Sequence, residues 1–172
     1  MMNTTITNNL PATARVWVYQ ANRMFTDGEA ATIQHKIKDF ATGWTSHKNQ
    51  VVADGGLLYN RFVVLMADEA AVGVSGCSID SSVHFIRLLG YEYQANFFDR
   101  WNIAYLKNGD VLSCRKDDFE KLLESGEIVD DTLVFNNLVQ TKADFETNWI
   151  IPYQQSWLKN LRTAGVSFNS IL

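Results

Sequence analysis

Apolar positions recur at strand or helix spacing over most of the chain, and this pattern predicts the order of its secondary structure. Arg15–Gln20 is rich in β-forming residues, which predicts a first strand. Thr26 followed by Glu29 resembles a capping box, and a stripe of apolar residues at helical spacing then predicts a helix over about 27–43. The stripe consists of Ala30, Ile33, Ile37, Phe40, Ala41 and Trp44.

The middle of the chain predicts two further strands and a second helix. Val51–Tyr59 is expected to be a strand with a bulge or turn at Asp54–Gly56. Arg61–Ala67 is a nearly continuous apolar run, which is typical of a central strand covered on both faces. A loop over 68–77 follows, and the next helix is predicted over about 79–90.

The C-terminal third predicts a hairpin followed by shorter elements. Arg100–Leu106 and Val111–Arg115 flank Asn108–Gly109, a two-residue signal for a tight β-hairpin turn. The remaining predicted elements are a helix over 117–125, a strand over 132–135, and a helix that begins after Thr141 and runs toward Trp149.

The order of elements through Leu106 is β-α-β-β-α-β, which predicts an α+β fold. We expect a ferredoxin-like (split β-α-β) core, a four-stranded antiparallel sheet with both helices on one face, and a C-terminal α/β extension. A mixed sheet with helices on both faces is the alternative. The predicted boundaries are a disordered tail at 1–13, a single domain at 14–162 with its core at 14–106 and its extension at 107–162, and a loose C-terminus at 163–172.

The second helix is apolar on two faces, which indicates that it is covered twice. Phe85 and Leu88 lie on the second of these faces, and we expect the extension to cover them. Four residues share the face that is expected to meet the sheet, namely Ile79, Val83, Ile86 and Gly90.

Composition and charge argue against several classes of protein. The chain has 172 residues, of which 47% are hydrophobic, and its net charge of −4 comes without any basic stripe, so no nucleic-acid partner is expected. No apolar run reaches the roughly 18 residues of a membrane span, and the N-terminus lacks a signal-peptide core, so we expect no membrane partner and a cytoplasmic location. There, Cys77 and Cys114 are expected to be free thiols.

The stretch Gly73–Gly90 holds the candidate chemistry, because a glycine-spaced loop there leads into a helix. Backbone N–H groups at such a helix start favour an anion or a thiolate. A small anionic ligand is therefore one hypothesis. Its candidate residues are Gly73, Ser75, Gly76 and Ser78, assisted by Arg61 or Arg100.

Cys77 could act as a nucleophile at that helix start, with His84 or His47 as the base. His84 would lie about two helical turns away, roughly 10 Å along the axis, which is far beyond hydrogen-bonding reach. The alternative is structural: Asp80, His84 and Arg87 form the solvated face of the helix, and Cys77 is a small buried residue. We favour the structural alternative, assign no catalytic residue, and expect no metal site and no cofactor.

Five segments together carry a resemblance to a known family: VWVYQANRMFT, YNRFVVLMADE, SGCSIDSSVHF, FDRWNIAY and VFNNLVQTK. They resemble a family of small uncharacterised bacterial proteins that are often called ABC transporter ATPases. The sequence does not support that name, because it contains no G-x-x-x-x-G-K-[ST] motif to hold nucleotide phosphates. The resemblance implies no catalytic residues.

These observations predict a binding or interaction domain without an identifiable catalytic motif. Homo-oligomerisation is expected, because antiparallel sheets of this kind leave a face or an edge to be covered. The alternative is a small enzyme, or an anion- or phosphate-binding protein, that uses the Gly73–Asp80 loop and Cys77.

Overall fold

Two compact units, each with its own core and its own sheet, make up the protein. A computed structural model describes residue 6 and residues 9–161. Within those residues, the first unit comprises the chain up to Asp99 together with Asn137–Thr147, and the second comprises Arg100–Asn136 together with the chain from Asn148 onward. The elements in chain order are β1 (Arg15–Gln20), α1 (Asp27–Gly43), β2 (Thr45–Ser46), β3 (Asn49–Gln50), β4 (Val52–Leu58), β5 (Phe62–Asp68), α2 (Gly76–Glu92), β6 (Asn102–Lys107), β7 (Asp110–Arg115), α3 (Lys116–Glu124), β8 (Leu133–Phe135), α4 (Lys142–Asn148) and β9 (Ile150–Pro152), followed by two short 3₁₀ helices at Tyr153–Gln155 and Trp157–Lys159.

The predicted ends of the chain differ from the structure where the structure describes them. Leu10 is buried, and its carbonyl accepts a hydrogen bond of 2.8 Å from the Lys142 ammonium. The last residues of the predicted tail are therefore part of the first unit. The predicted loose C-terminus at 163–172 and most of the predicted tail at 1–13 lie outside the described residues.

The first unit is built on an antiparallel sheet with the strand order β1-β5-β4. Its central strand, β5, is buried on both faces, as its continuous apolar run predicts. The capping box at the start of α1 is also confirmed: the Thr26 hydroxyl accepts from the Glu29 N–H, and the Glu29 carboxylate accepts from the Thr26 N–H.

The bulge or turn predicted at Asp54–Gly56 is absent from β4. Every residue of β4 pairs with β5 without interruption. Gly55 is needed instead because α1 packs closely there: a Cβ at this position would lie 2.8 Å from Ile37 Cγ2 and 2.8 Å from the Val64 carbonyl oxygen. Gly55 therefore serves helix–sheet packing.

Mixed α and β structure with antiparallel sheets is confirmed, but the ferredoxin-like topology is not. The predicted fourth strand, β6, lies in the second unit, in a sheet with the order β7-β6-β8-β9. The free edge of β1 is instead met by a bridge between Arg15 and Thr141. The predicted boundary between core and extension at 106/107 also differs from the division between the units at 99/100.

α2 begins at Gly76, three residues before its predicted start, because Ser75 caps it. Its buried residues are Ser78, Ser82, Ile86 and Leu89. Phe85 stacks on Phe40 of α1 with ring centroids 4.5 Å apart, whereas Leu88 is 54% exposed. The expectation that the extension covers both residues is therefore wrong for Leu88, and the contact that covers Phe85 comes from α1 and not from the extension.

The second unit has a separate core. It forms where α3 and the 3₁₀ helices pack on the β6–β8 part of the sheet. Its buried residues include Ile103, Phe119, Ile128, Val134, Tyr153 and Leu158. Across the part of the chain that the structure describes, no helix combines the length and apolar character that a bilayer crossing requires.

Candidate functional site

The Gly73–Ser78 loop is organised as the cap of α2. The Ser75 hydroxyl accepts from the Ser78 N–H at 3.3 Å, and the Ser75 N–H donates to the Ser46 hydroxyl oxygen at 3.1 Å. The Ser46 hydroxyl in turn donates to the Gly73 carbonyl at 2.7 Å. The Ser75 and Ser78 N–H groups, two of the donors that an anion at this helix start would use, are thus engaged within the protein.

Acidic charge also lies beside this loop. The Glu69 carboxylate accepts a hydrogen bond of 3.1 Å from the Val74 N–H, so an incoming anion would meet a negative group. A Cβ at Gly73 or Gly76 would have no neighbour within 4 Å, so the packing does not require these two glycines. The anion-binding hypothesis for this loop gains no support from its geometry.

Of the two arginines that were predicted to assist, Arg61 does not reach the loop. Arg61 is buried just before β5, whereas the loop follows the other end of that strand, about 20 Å away. Burial lowers the pKa of the Arg61 guanidinium. Arg100 belongs to the second unit.

No hydrogen bond joins the candidate catalytic residues to one another in the described part of the chain, although the Ser46–Ser75 hydrogen bond brings the neighbour of His47 to the loop. Cys77 and His84 are both exposed on α2, and His47 is exposed in the turn between β2 and β3, where its φ is 49°. Cys77 is therefore not the small buried residue that was expected, although Asp80, His84 and Arg87 do form a solvated face. Among the described residues, no group of three His, Cys, Asp or Glu side chains is placed to hold a metal ion.

A cavity that the sequence did not indicate lies along β1. It has a volume of about 570 Å³ and runs between β1 and the segment 137–141. The polar and charged side chains that line it are Thr13, Arg15, Glu69, Asn137, Gln140 and Thr141. Trp17 and Tyr19 supply apolar surface to the same cavity.

Arg15 and Tyr19 mark two positions along this cavity. The Arg15 guanidinium carbon lies 4.8 Å from the centroid of the Trp17 ring, and one of its nitrogens lies 3.6 Å from the Glu69 carboxylate. Burial raises the pKa of the Tyr19 hydroxyl, and a hydrogen bond with Ser82 opposes that shift. The cavity thus offers a cation at one position and a neutral phenol at the other.

A second feature is an exposed apolar surface at the end of α2, which we call the Tyr91 surface and define by Arg87, Leu88, Tyr91 and Phe98. Tyr91 is 88% exposed and Phe98 is 44% exposed. The Arg87 guanidinium carbon lies 5.7 Å from the centroid of the Phe98 ring. Beside Tyr91 is a hollow of about 300 Å³, with Gly90 and Phe97 among its lining residues.

The turn of the chain after α2 requires a glycine at position 90. A Cβ at that position would lie 2.6 Å from the Ala95 carbonyl oxygen, because the chain turns back against the end of the helix. The sequence contained part of the signal for this surface, since Leu88 and Tyr91 are three residues apart on α2. The position of Phe98 beside Arg87 depends on the turn after α2 and could not be derived from spacing.

Comparisons of this chain with protein-family models, with curated proteins and with solved structures find no match. The resemblance to the family of small bacterial proteins therefore stays a prediction.

Proposed function

We propose that this protein is a non-catalytic interaction domain that associates with a second copy of itself through the Tyr91 surface. The observation that carries the proposal is the 88% exposed ring of Tyr91 directly beside a hollow of about 300 Å³. In a two-fold symmetric interface the same surface of each copy meets the other, so the surface must fit itself. The projecting Tyr91 ring and the hollow beside it meet this requirement, because the ring of one copy can enter the hollow of the other.

The composition of the surface supports this role. Tyrosine and arginine are the residue types that most often dominate binding energy at protein interfaces, and large exposed apolar groups in a cluster mark interaction sites. Tyr91, Leu88 and Phe98 provide the apolar groups, and Arg87 lies at their border. In a symmetric pair, Tyr91 of each copy enters the hollow of the other and covers Leu88.

Sedimentation equilibrium of the full chain tests this proposal. The wild-type protein is expected to sediment as a dimer at about 0.1 mM, and Tyr91→Ser to weaken dimerisation by roughly 30-fold or more, because removal of a central aromatic anchor costs at least about 2 kcal/mol. Val129→Ser is the matched control, since Val129 is 52% exposed in the second unit and is expected to leave the equilibrium unchanged.

Two results would contradict the proposal. One is a wild-type protein that remains monomeric at this concentration, which would leave the surface to a different partner. The other is a dimer that Tyr91→Ser and Val129→Ser affect equally. Circular dichroism of each variant checks that the substitution has not unfolded the protein.

A further inference from the structure

The two edge strands of the first sheet, β1 and β4, differ in how their outward-facing main-chain groups are hydrogen-bonded. At the β4 edge, side chains accept hydrogen bonds from the main chain: Gln34 Oε1 accepts from the Leu57 N–H at 2.7 Å, and Asp54 Oδ1 accepts from the Gly55 N–H at 2.8 Å. Capping of this kind prevents another strand from pairing there. The β4 edge is therefore closed.

The β1 edge is closed over only part of its length. The Val16 N–H donates to the Gln140 carbonyl at 2.9 Å, and the Lys142 N–H donates to the Ala14 carbonyl at 2.8 Å. Because main-chain groups alternate in direction along an antiparallel strand, the N–H and C=O of Val18 also point away from β5. The structure shows no partner for these two groups among the described residues.

Among the described residues, bridge pairing between β1 and the later segment is limited to Arg15 and Thr141. Continuing that register would put Leu138 opposite Val18, where no bridge forms. The cavity of about 570 Å³ lies along this part of β1, and Val18 is among its lining residues. Its volume falls within the range of about 300–1,000 Å³ that is usual for small-ligand sites.

Arg15 adds a positive charge to this cavity. Its guanidinium lies over the Trp17 ring and so leans along the strand toward Val18. Glu69 also lines this cavity and its charge opposes a bound anion, but its Oε1 accepts a hydrogen bond from the Val74 N–H. Its distance of 3.6 Å from the Arg15 guanidinium is longer than that of a charge-assisted hydrogen bond, about 2.7–2.9 Å, so the guanidinium can still bind a second carboxylate.

We propose that this cavity binds an N-acylated α-amino carboxylate, the group found at the C-terminus of a peptide and in free N-acyl amino acids. The ligand's amide N–H donates to the Val18 carbonyl, and one carboxylate oxygen accepts from the Val18 N–H. If the ligand runs antiparallel to β1, its carboxyl end points toward Arg15. Its side chain lies on the same face of the sheet as the Val18 side chain, because residues that pair directly across two strands share a face.

Titration of the ¹⁵N-labelled full chain with N-acetyl-L-phenylalanine tests the proposal. The Val18 amide resonance and the Trp17 indole resonance are expected to shift, with a Kd on the order of 1 mM for a ligand of this size. N-acetyl-L-phenylalaninamide, which lacks the carboxylate, is expected to bind at least about tenfold more weakly. An acetylated tripeptide ending in phenylalanine with a free carboxylate distinguishes the sources: tighter binding of the tripeptide indicates a peptide C-terminus, and equal binding indicates a free N-acyl amino acid.

Arg15→Gln should weaken binding of the acid by about tenfold and leave binding of the amide unchanged, whereas Arg15→Lys should retain most of the affinity. Arg115→Gln, at an exposed arginine of the second unit, is the matched control and is expected to have no effect on this binding. Equal binding of acid and amide, or no shift at Val18 up to about 10 mM of the acid, would overturn the proposal. The result of this titration does not depend on whether the protein dimerises through Tyr91.

Discussion

At the scale of single residues, Glu29 illustrates how a local sequence signal acquires a measurable electrostatic consequence. Its carboxylate accepts hydrogen bonds from the Arg23 guanidinium at 2.8 and 3.0 Å, and from the Thr26 N–H at 2.8 Å. The Arg23 hydrogen bonds are the largest cause that lowers the pKa of Glu29 from 4.5 to about 2, and the Thr26 backbone bond is the next.

An NMR titration of the Glu29 side-chain carboxyl carbon should therefore have its midpoint at about pH 2. Because the folded-state pKa is the lower one, the contribution of Glu29 to stability is present above pH 4.5 and is lost as the pH falls through about 2. In Arg23→Gln the midpoint should rise toward 4.5. A wild-type midpoint near 4.5 would show that the Arg23–Glu29 contact does not persist in solution.

The two thiols should differ in reactivity. Cys77 is exposed, whereas burial, with a smaller effect from Asp118, raises the pKa of Cys114 from 9.0 to about 11. Since the thiolate is the reactive form, iodoacetamide at pH 8 is expected to modify Cys77 and to spare Cys114 until the protein is unfolded. Mass spectrometry of the wild type and of Cys77→Ser measures this, and comparable modification of both thiols in the native protein would contradict it.

Residue-scale predictions from the sequence succeeded where one short motif fixes one short structure. Thr26 and Glu29 form the predicted capping box, and Asn108 and Gly109 occupy the predicted hairpin turn with positive φ. The turn at His47 and Lys48 was missed because both residues adopt positive φ although His-Lys is not among the pairs, such as Asn-Gly and Asp-Gly, that signal a two-residue hairpin turn. A rule that recognises hairpin turns by pairs such as Asn-Gly cannot detect a turn that other residues form.

At the scale of elements, the contact between α1 and β4 depends on one missing side chain. Gly55→Ala should destabilise the protein by about 1–3 kcal/mol, because the new methyl group would clash with Ile37 and with the Val64 carbonyl, which belongs to the backbone of β5. Urea denaturation measures the change.

Gly28→Ala is the matched control for that substitution. Gly28 lies in the first turn of α1, and a Cβ there would have no neighbour within 4 Å. The control is expected to leave stability unchanged or to raise it by up to about 1 kcal/mol, because alanine favours the helix. Equal destabilisation by both substitutions would refute the close α1–β4 approach.

Elements were easier to predict than their pairing. The strand at Arg15–Gln20 and the central strand at Phe62–Asp68 follow from local pattern, but β6 joins β8 through the single pair Tyr105–Val134. Nothing in a ten-residue window indicates which of two sheets a strand will join. The same reason explains why the cavity was missed, since it lies between β1 and residues more than a hundred positions later.

At the scale of the whole molecule, the sequence predicted the class of fold but not its division into two units. The chain returns to the first unit at Asn137–Thr147 after the second has begun, and no composition change or linker marks that return. The candidate chemistry at Gly73–Asp80 was a reasonable inference from a glycine-spaced loop before a helix. In the structure Ser75 caps that helix, and the two proposals rest instead on the Tyr91 surface and the β1 cavity.

Self-association through the Tyr91 surface is the central claim, and contacts between copies test it most directly. In a sample that mixes ¹³C-labelled and unlabelled protein, an isotope-filtered NOE experiment should show the Tyr91 ring of one copy close to Gly90 and Phe98 of another. A dimer whose intermolecular contacts involve other residues, or a sample with no intermolecular contacts at about 0.5 mM, would contradict the account.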